Sequence, residues 1–273
     1  MFKNIIVFMS FLLLLLISYG FSFDKMHGHK SQVVKLNYDS LFNTAVPIEK
    51  SEKAQTLING CFDAYGGEKH LNTLNSFKIV YEMKTFASKT TIQAVKSFQR
   101  GRKYKVVVDK DPNQQTRILN QELSWYIGKD TLIELYSGRY KAELFSYLTL
   151  SMPLGIKSES FNEIRYGQRI DDSLSYLYMK KNDSLLIIIG IDTEDYFIKK
   201  SEGIIYQDTA SFIFINRFDE FDTFEGFVFP QKLTNISMGL EIARSAITDI
   251  EINLDFTDND FKPMIKKKVN LSD

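Results

Sequence analysis

One cysteine, one tryptophan, three histidines and five prolines are the scarce residues in this sequence of 273. A lone cysteine excludes an intramolecular disulfide framework and any multi-cysteine zinc or iron–sulfur centre. The few prolines argue against a linker-rich or collagen-like chain. Charge of one sign is missing too: 34 Lys and Arg balance 34 Asp and Glu, so no electrostatic footprint for a nucleic-acid backbone exists. No G-x-S-x-G elbow, Walker loop, G-x-G-x-x-G or H-E-x-x-H occurs, and each of those chemistries depends on local spacing. No repeat of fixed length is visible.

Apolar and aromatic residues are plentiful, at 44% and 14%, with 22 phenylalanines. That suffices for one large domain or two small ones with a buried core. The first segment bears on compartment. Met1-Phe2-Lys3-Asn4 carries one positive charge, and residues 5–17 are an apolar run broken only by Ser10. Small residues follow at Ser18, Gly20 and Ser22, the order of a signal peptide, with cleavage expected near residue 22. The alternative is an uncleaved N-terminal membrane anchor, since the stretch from Ile5 to Phe23 nears spanning length. No cysteine lies near its end, which excludes a lipobox. Either way the chain is expected outside the cytoplasm, in the periplasm or cell envelope.

The expected organisation is a signal peptide at 1–22, an extended or mobile leader at 23–50, one domain at 51–264 and a basic tail at 265–273. Within the domain, Ala54, Leu57, Ile58, Cys61, Phe62 and Tyr65 recur at steps of three and four, one stripe of a helix. Ser51 suits its N-cap, and Gly66-Gly67 its end. From Phe77 the period becomes two, with Phe77, Ile79, Tyr81 and Met83 on one face. Strands are predicted at 77–83, 91–99, 103–109, 115–120, 123–128 and 131–136. After a helix at 139–150, stopped by Pro153 and Gly155, more follow at 173–180, 184–191, 195–200, 203–208, 210–221, 227–237 and 241–252. Their short turns favour antiparallel pairing, giving a mainly β chain with some α.

Chemical groups for catalysis are few. His27 and His29 fall in the leader and read as solvated. His70 follows the glycine pair, where it suits a helix end, and Cys61 reads as a small buried hydrophobe. Asp219, Glu220, Asp222 and Glu225 crowd one turn and Asp255, Asp258, Asn259 and Asp260 another. Neither has the ligand order of a calcium loop, and both read as solvated turns. No cofactor and no metal is expected. Nothing selects a pair of carboxylates for glycoside hydrolysis.

Two stretches carry a family resemblance: Cys61-Phe62-Asp63-Ala64-Tyr65-Gly66-Gly67-Glu68-Lys69-His70-Leu71-Asn72-Thr73-Leu74, and Phe221-Asp222-Thr223-Phe224-Glu225-Gly226-Phe227-Val228-Phe229-Pro230 followed by Gly239 and Ile250-Glu251-Ile252-Asn253. The first resembles the opening helix, glycine pair and leucine spacing of the periplasmic lipoprotein carrier LolA and its relatives, and the second their late hairpin. Such a resemblance implies a strongly curved antiparallel sheet or incomplete β-barrel covered by a few helices, enclosing an apolar cavity for acyl chains. The mid-chain helix would be its lid. The expected ligand is then a lipid, a lipoprotein acyl chain or another apolar molecule, with a lipoprotein or envelope protein as partner. Tyr81, Met83, Phe98, Tyr104, Trp125, Phe212, Phe214 and Phe229 are the candidate cavity residues from the sheet, and Leu148 and Met152 from the lid. Two alternatives stay open: an envelope interaction or sensor protein with a filled barrel, and an enzyme acting on an envelope polymer.

Overall fold

The computed structural model describes residues 37–86, 91–109, 114–128, 131–134, 137–157, 161–169, 173–207, 210–237 and 239–264. The expected signal peptide, His27, His29 and the basic tail lie outside the described residues. The helices are α1 (Tyr38–Thr44), α2 (Glu52–Ala64), α3 (Glu68–Leu71) and α4 (Ser137–Leu150). The strands are β1 (Val46–Pro47), β2 (Ser76–Thr85), β3 (Thr91–Gln99), β4 (Lys103–Asp109), β5 (Gln115–Asn120), β6 (Leu123–Gly128), β7 (Thr131–Glu134), β8 (Glu163–Gln168), β9 (Leu174–Asn182), β10 (Leu185–Asp192), β11 (Ile198–Gln207), β12 (Ala210–Phe224), β13 (Phe227–Ser237) and β14 (Leu240–Ile252).

All 14 described strands form one antiparallel sheet in the order β1-β8-β9-β10-β11-β12-β13-β14-β2-β3-β4-β5-β6-β7. It is open, with β1 and β7 at its edges. Its curvature follows from α4, which touches β4, β5 and β6 on one side and β11 on the other. Seven steps of the strand order separate β11 from β5, about 34 Å in a flat sheet at ~4.8 Å per strand, roughly three helix diameters. One helix reaches both only if the sheet curls around it. Register shifts at Leu185/Leu186, Gly190/Ile191, Asn235/Ile236 and Ile247/Asp249 supply local bends.

The main core fills the concave face. Ser51 Oγ accepts the Ala54 N–H at 3.2 Å and so caps α2, whose Leu57, Ile58, Cys61 and Phe62 are buried. Gly66 and Gly67, at φ +98° and +88°, close it, with the Gly67 N–H donating to the Phe62 carbonyl at 2.8 Å. From α4, Leu144, Phe145 and Leu148 enter the same core, and the Phe145 ring rests on Gly203, where a Cβ would stand 2.7 Å from Cδ2. That contact explains a departure from expectation. The break between strands 195–200 and 203–208 does not exist: β11 is continuous, and its glycine admits an aromatic ring rather than making a turn.

A second core lies on the convex face. Phe42 and Ala45 pack there with Tyr176, Tyr178, Leu186, Ile188 and Ile204. Residues 37–50, expected as part of an extended or mobile leader, therefore contribute α1, β1 and a single turn of 3-10 helix, laid on β8 and its neighbours. The continuous run Leu185-Leu186-Ile187-Ile188-Ile189 is the counterpart in β10, whose odd positions enter the main core and whose even ones enter the second. The segment after β14 also folds back. Residues 258–261 form a capped 3-10 turn against β4 and β5, with Phe261 fully buried.

Candidate functional site

A cavity of about 420 Å³ lies between the concave face and α4, within the ~300–1,000 Å³ range of small-molecule sites. The structure places eight sequence candidates on its wall: Tyr81, Met83, Phe98, Tyr104, Met152, Phe212, Phe214 and Phe229. Two are placed elsewhere. Trp125 pairs with Ile118, while its neighbour Tyr126 pairs with Arg117, and it is Tyr126 and Arg117 that line the cavity. Strand alternation therefore puts Trp125 on the convex face, and Tyr126 is the aromatic of that adjacent pair that belongs to the site. Leu148 lies in the solid core, 1% exposed. From α4 the cavity is lined by Arg139, Ala142, Glu143, Phe145, Ser146, Thr149 and Leu150.

Four charged residues belong to the described lining: Lys96, Arg117, Arg139 and Glu143. They were not among the sequence candidates. Cross-strand pairing sets Ile79, Lys96, Val106, Arg117 and Tyr126 in one transverse row across β2 to β6. From α4 above, Glu143 brings Oε1 to 3.5 Å from Arg117 Nε, and the Arg139 guanidinium lies 5.2 Å from the Tyr126 ring centre. Lys96 Nζ rests 4.6 Å over the Tyr81 ring. The signal was present in the sequence, because Lys96 falls in phase with Ile92, Ala94 and Phe98, and Arg117 with Leu119. A charge on the apolar beat of a strand is either an error of register or a functional group.

Burial pushes the Lys96 ammonium down to about 8; nearby Arg117 adds to the shift and Glu143 opposes it. Burial raises the Glu143 carboxyl, against the pull of Arg117, Arg139 and Lys96. Glu143 Oε2 and Thr149 Oγ1 are both buried without a hydrogen-bond partner among the described residues. These shifts carry a stability consequence. Because the folded Lys96 releases its proton near 8 and an unfolded lysine near ~10.4, the unfolded chain binds more protons between those values, and stability rises with pH across that window. Lys96→Met is therefore expected to raise the melting temperature at pH 7 and to flatten the rise between about pH 8 and 10. Equal melting temperatures at pH 7 would show that Lys96 bears no burial penalty.

The remaining chemical candidates are structural. Cys61 is fully buried, and burial alone pushes its thiol up to about 12, far from a reactive thiolate. His70 does more than sit at a helix end. Its ring stacks on Phe227 at 4.2 Å, and Nε2 is 3.0 Å from the Gly226 carbonyl. It thereby ties the opening helices to the β12–β13 hairpin, whose turn residues Glu225 and Gly226 both have positive φ. At the other acidic turn, Asp260 Oδ2 accepts the Thr257 N–H at 2.7 Å and Asp258 pairs with Lys103 at 2.5 Å. No group of three metal-ligating side chains exists among the described residues.

No family model and no curated protein matches the chain. Solved structures do. A LolA superfamily protein from Nitrosomonas europaea superposes with a TM-score of 0.51 at 12% identity, covering 77% of this chain and 97% of that one. A DUF1329 family protein from Desulfovibrio piger superposes at 0.50 with 7% identity, covering 76% and 96%. The likeness concerns the fold: this chain has a LolA-like fold, an open curved antiparallel sheet with helices against its concave face.

Proposed function

We propose that this LolA-like half-barrel is a non-enzymatic protein of the cell envelope that binds a lipid, a lipoprotein acyl chain or another apolar ligand in its cavity. The observation that carries the reading is the cavity itself, walled by large apolar side chains of β2, β12 and β13 and covered by α4. Such a wall takes up a flexible chain by excluding water, each buried methylene contributing roughly 0.8 kcal/mol before ordering costs are deducted. The signal-peptide pattern of residues 1–22 supports export, and no described helix is long and apolar enough to cross a membrane. A buried Cys61 and a His70 engaged with the hairpin offer no nucleophile and base to the cavity.

A titration with fluorescent fatty acids of increasing length tests this. Affinity is expected to rise with chain length and to drop about tenfold or more in Met152→Asp, which sets a charge in the apolar wall. Trp125→Asp, on the convex face, is expected to bind as the wild type does. If no chain length binds the intact protein, the ligand-binding reading is wrong, and that of an interaction or sensor protein with a filled barrel takes its place.

A further inference from the structure

Resting on the ligand-binding reading above, we propose that the ligand is an uncharged acyl lipid with a hydroxyl-bearing head, of the monoacylglycerol class, one hydroxyl of which donates to Glu143 Oε2.

A carboxyl buried in a protein is costly unless hydrogen bonds occupy both of its oxygens. Glu143 is 3% exposed and lines the cavity from α4. Its Oε1 stands 3.5 Å from Arg117 Nε, whereas Oε2 has no hydrogen-bond partner among the described residues. The same helix carries a second such atom, Thr149 Oγ1, buried at the cavity wall and likewise without a partner. Both atoms await a polar group that the described chain does not supply.

The surroundings select the charge of that group. A cationic head would enter beside Lys96, Arg117 and Arg139, which line the same cavity. An anionic head would bring a second negative charge against Glu143. The arginines are not spare cations waiting for it: Arg117 faces Glu143, Arg139 lies against the Tyr126 ring, and both have further interactions. A hydroxyl meets neither repulsion, and its bond to a carboxylate is of the stronger, charge-assisted kind.

The far wall is polar in the same uncharged way. Cross-strand pairing sets Ser201, Asn216 and Asn235 side by side on β11, β12 and β13, all facing the cavity. Asn235 Nδ2 donates to Asn216 Oδ1 at 2.7 Å, and Asn216 Nδ2 donates to Ser201 Oγ at 3.1 Å. A primary amide has two N–H donors, so one bond from each leaves a neutral donor on each asparagine. Ester carbonyls and hydroxyls suit such groups. Between these polar positions Phe212, Phe214 and Phe229 supply the apolar contact for an acyl chain.

Displacement of the bound fluorescent fatty acid from the full chain at pH 7 by monopalmitoylglycerol, methyl palmitate and palmitate tests the head group at constant chain length. Monopalmitoylglycerol is expected to compete at least about tenfold better than the methyl ester, which has the chain and the carbonyl but no hydroxyl, and better than palmitate. Glu143→Gln keeps the shape and a neutral acceptor, so it is expected to cut the preference over the methyl ester to about threefold. Glu143→Leu, checked for folding by its melting temperature, is expected to abolish that preference while methyl palmitate competes as before. Equal competition by glyceride and methyl ester, palmitate competing as well as the glyceride, or a full preference retained in Glu143→Gln would overturn the head-group assignment and leave the apolar cavity standing. Failure of the fluorescent fatty acid itself to bind would overturn the ligand-binding reading and this one with it.

Discussion

Glu202→Ala is expected to destabilise the fold by ~3–5 kcal/mol, the usual effect of breaking a buried ion pair from one side. Glu202 is 1% exposed on the convex face, and Arg169 grips it with two contacts, Nη1 to Oε1 at 2.6 Å and Nη2 to Oε2 at 3.3 Å. Lys200 Nζ stands 2.8 Å from Oε1. The guanidinium also lies 4.1 Å over the Tyr176 ring and donates to the Tyr178 hydroxyl at 3.3 Å. Truncation removes the anion and leaves two cations beneath α1. The double variant Arg169→Met with Glu202→Leu is expected to recover most of the loss, because it removes the more buried of the two stranded cations along with the pair. Chemical denaturation of the two variants decides the matter, and a double variant as unstable as Glu202→Ala would mean that shape rather than charge sets the cost. Burial works against the charged carboxyl, but the hydrogen bond and charge of Arg169, with Lys200, outweigh it and hold the carboxyl below its ordinary range. Its contribution is thus present above the unfolded glutamate value of ~4.3 and lost as pH falls through the depressed folded value. Acid unfolding of the wild type is expected to steepen below about pH 4, and that of the double variant is not.

The second large effect belongs to the concave core. Phe62→Ala is expected to cost ~3–5 kcal/mol, the transfer free energy of a buried ring plus the cavity it leaves. Phe62 is 3% exposed on the inner stripe of α2, and Lys157 Nζ lies 4.6 Å over its ring, from the turn that follows α4. The same substitution at Glu68 is expected to change stability by no more than ~0.5 kcal/mol. Its partner there is Lys157 at 2.5 Å, but both side chains are about half exposed, and solvent screens such a pair. Denaturation of both variants tests the contrast, and equal small losses would mean that α2 contributes little to the core.

Comparison of particular elements explains which parts of this architecture were legible beforehand. The strands 91–99, 103–109, 115–120, 123–128 and 227–237 run as the alternation predicts, residue for residue. In β3, β4 and β13 buried positions alternate with more exposed ones, so period two is written plainly. α1 was missed although Tyr38, Leu41, Phe42 and Ala45 have helical spacing. Two turns of pattern weigh little, and the helix owes its stability to packing on Tyr176, Tyr178 and Ile204, far along the chain. β8, also missed, has part-buried residues on both faces and little alternation to detect.

What the sequence by itself determined is the set of local, periodic facts: an antiparallel β chain, the α2 stripe with its cap and glycine stop, the mid-chain helix, and an inward face rich in large apolar residues. The tertiary structure alone decided the rest. Whether Trp125 or Tyr126 faces the cavity depends on register against β5, and whether Leu148 or Glu143 does depends on how α4 rolls between β5 and β11. The gathering of Lys96, Arg117, Arg139 and Glu143 depends on two strand pairings and one helix crossing. Periodicity fixes which residues share a face within an element. Only long-range pairing and the free energy of closing one element on another decide which faces meet, and the charged end of this cavity exists only where they do.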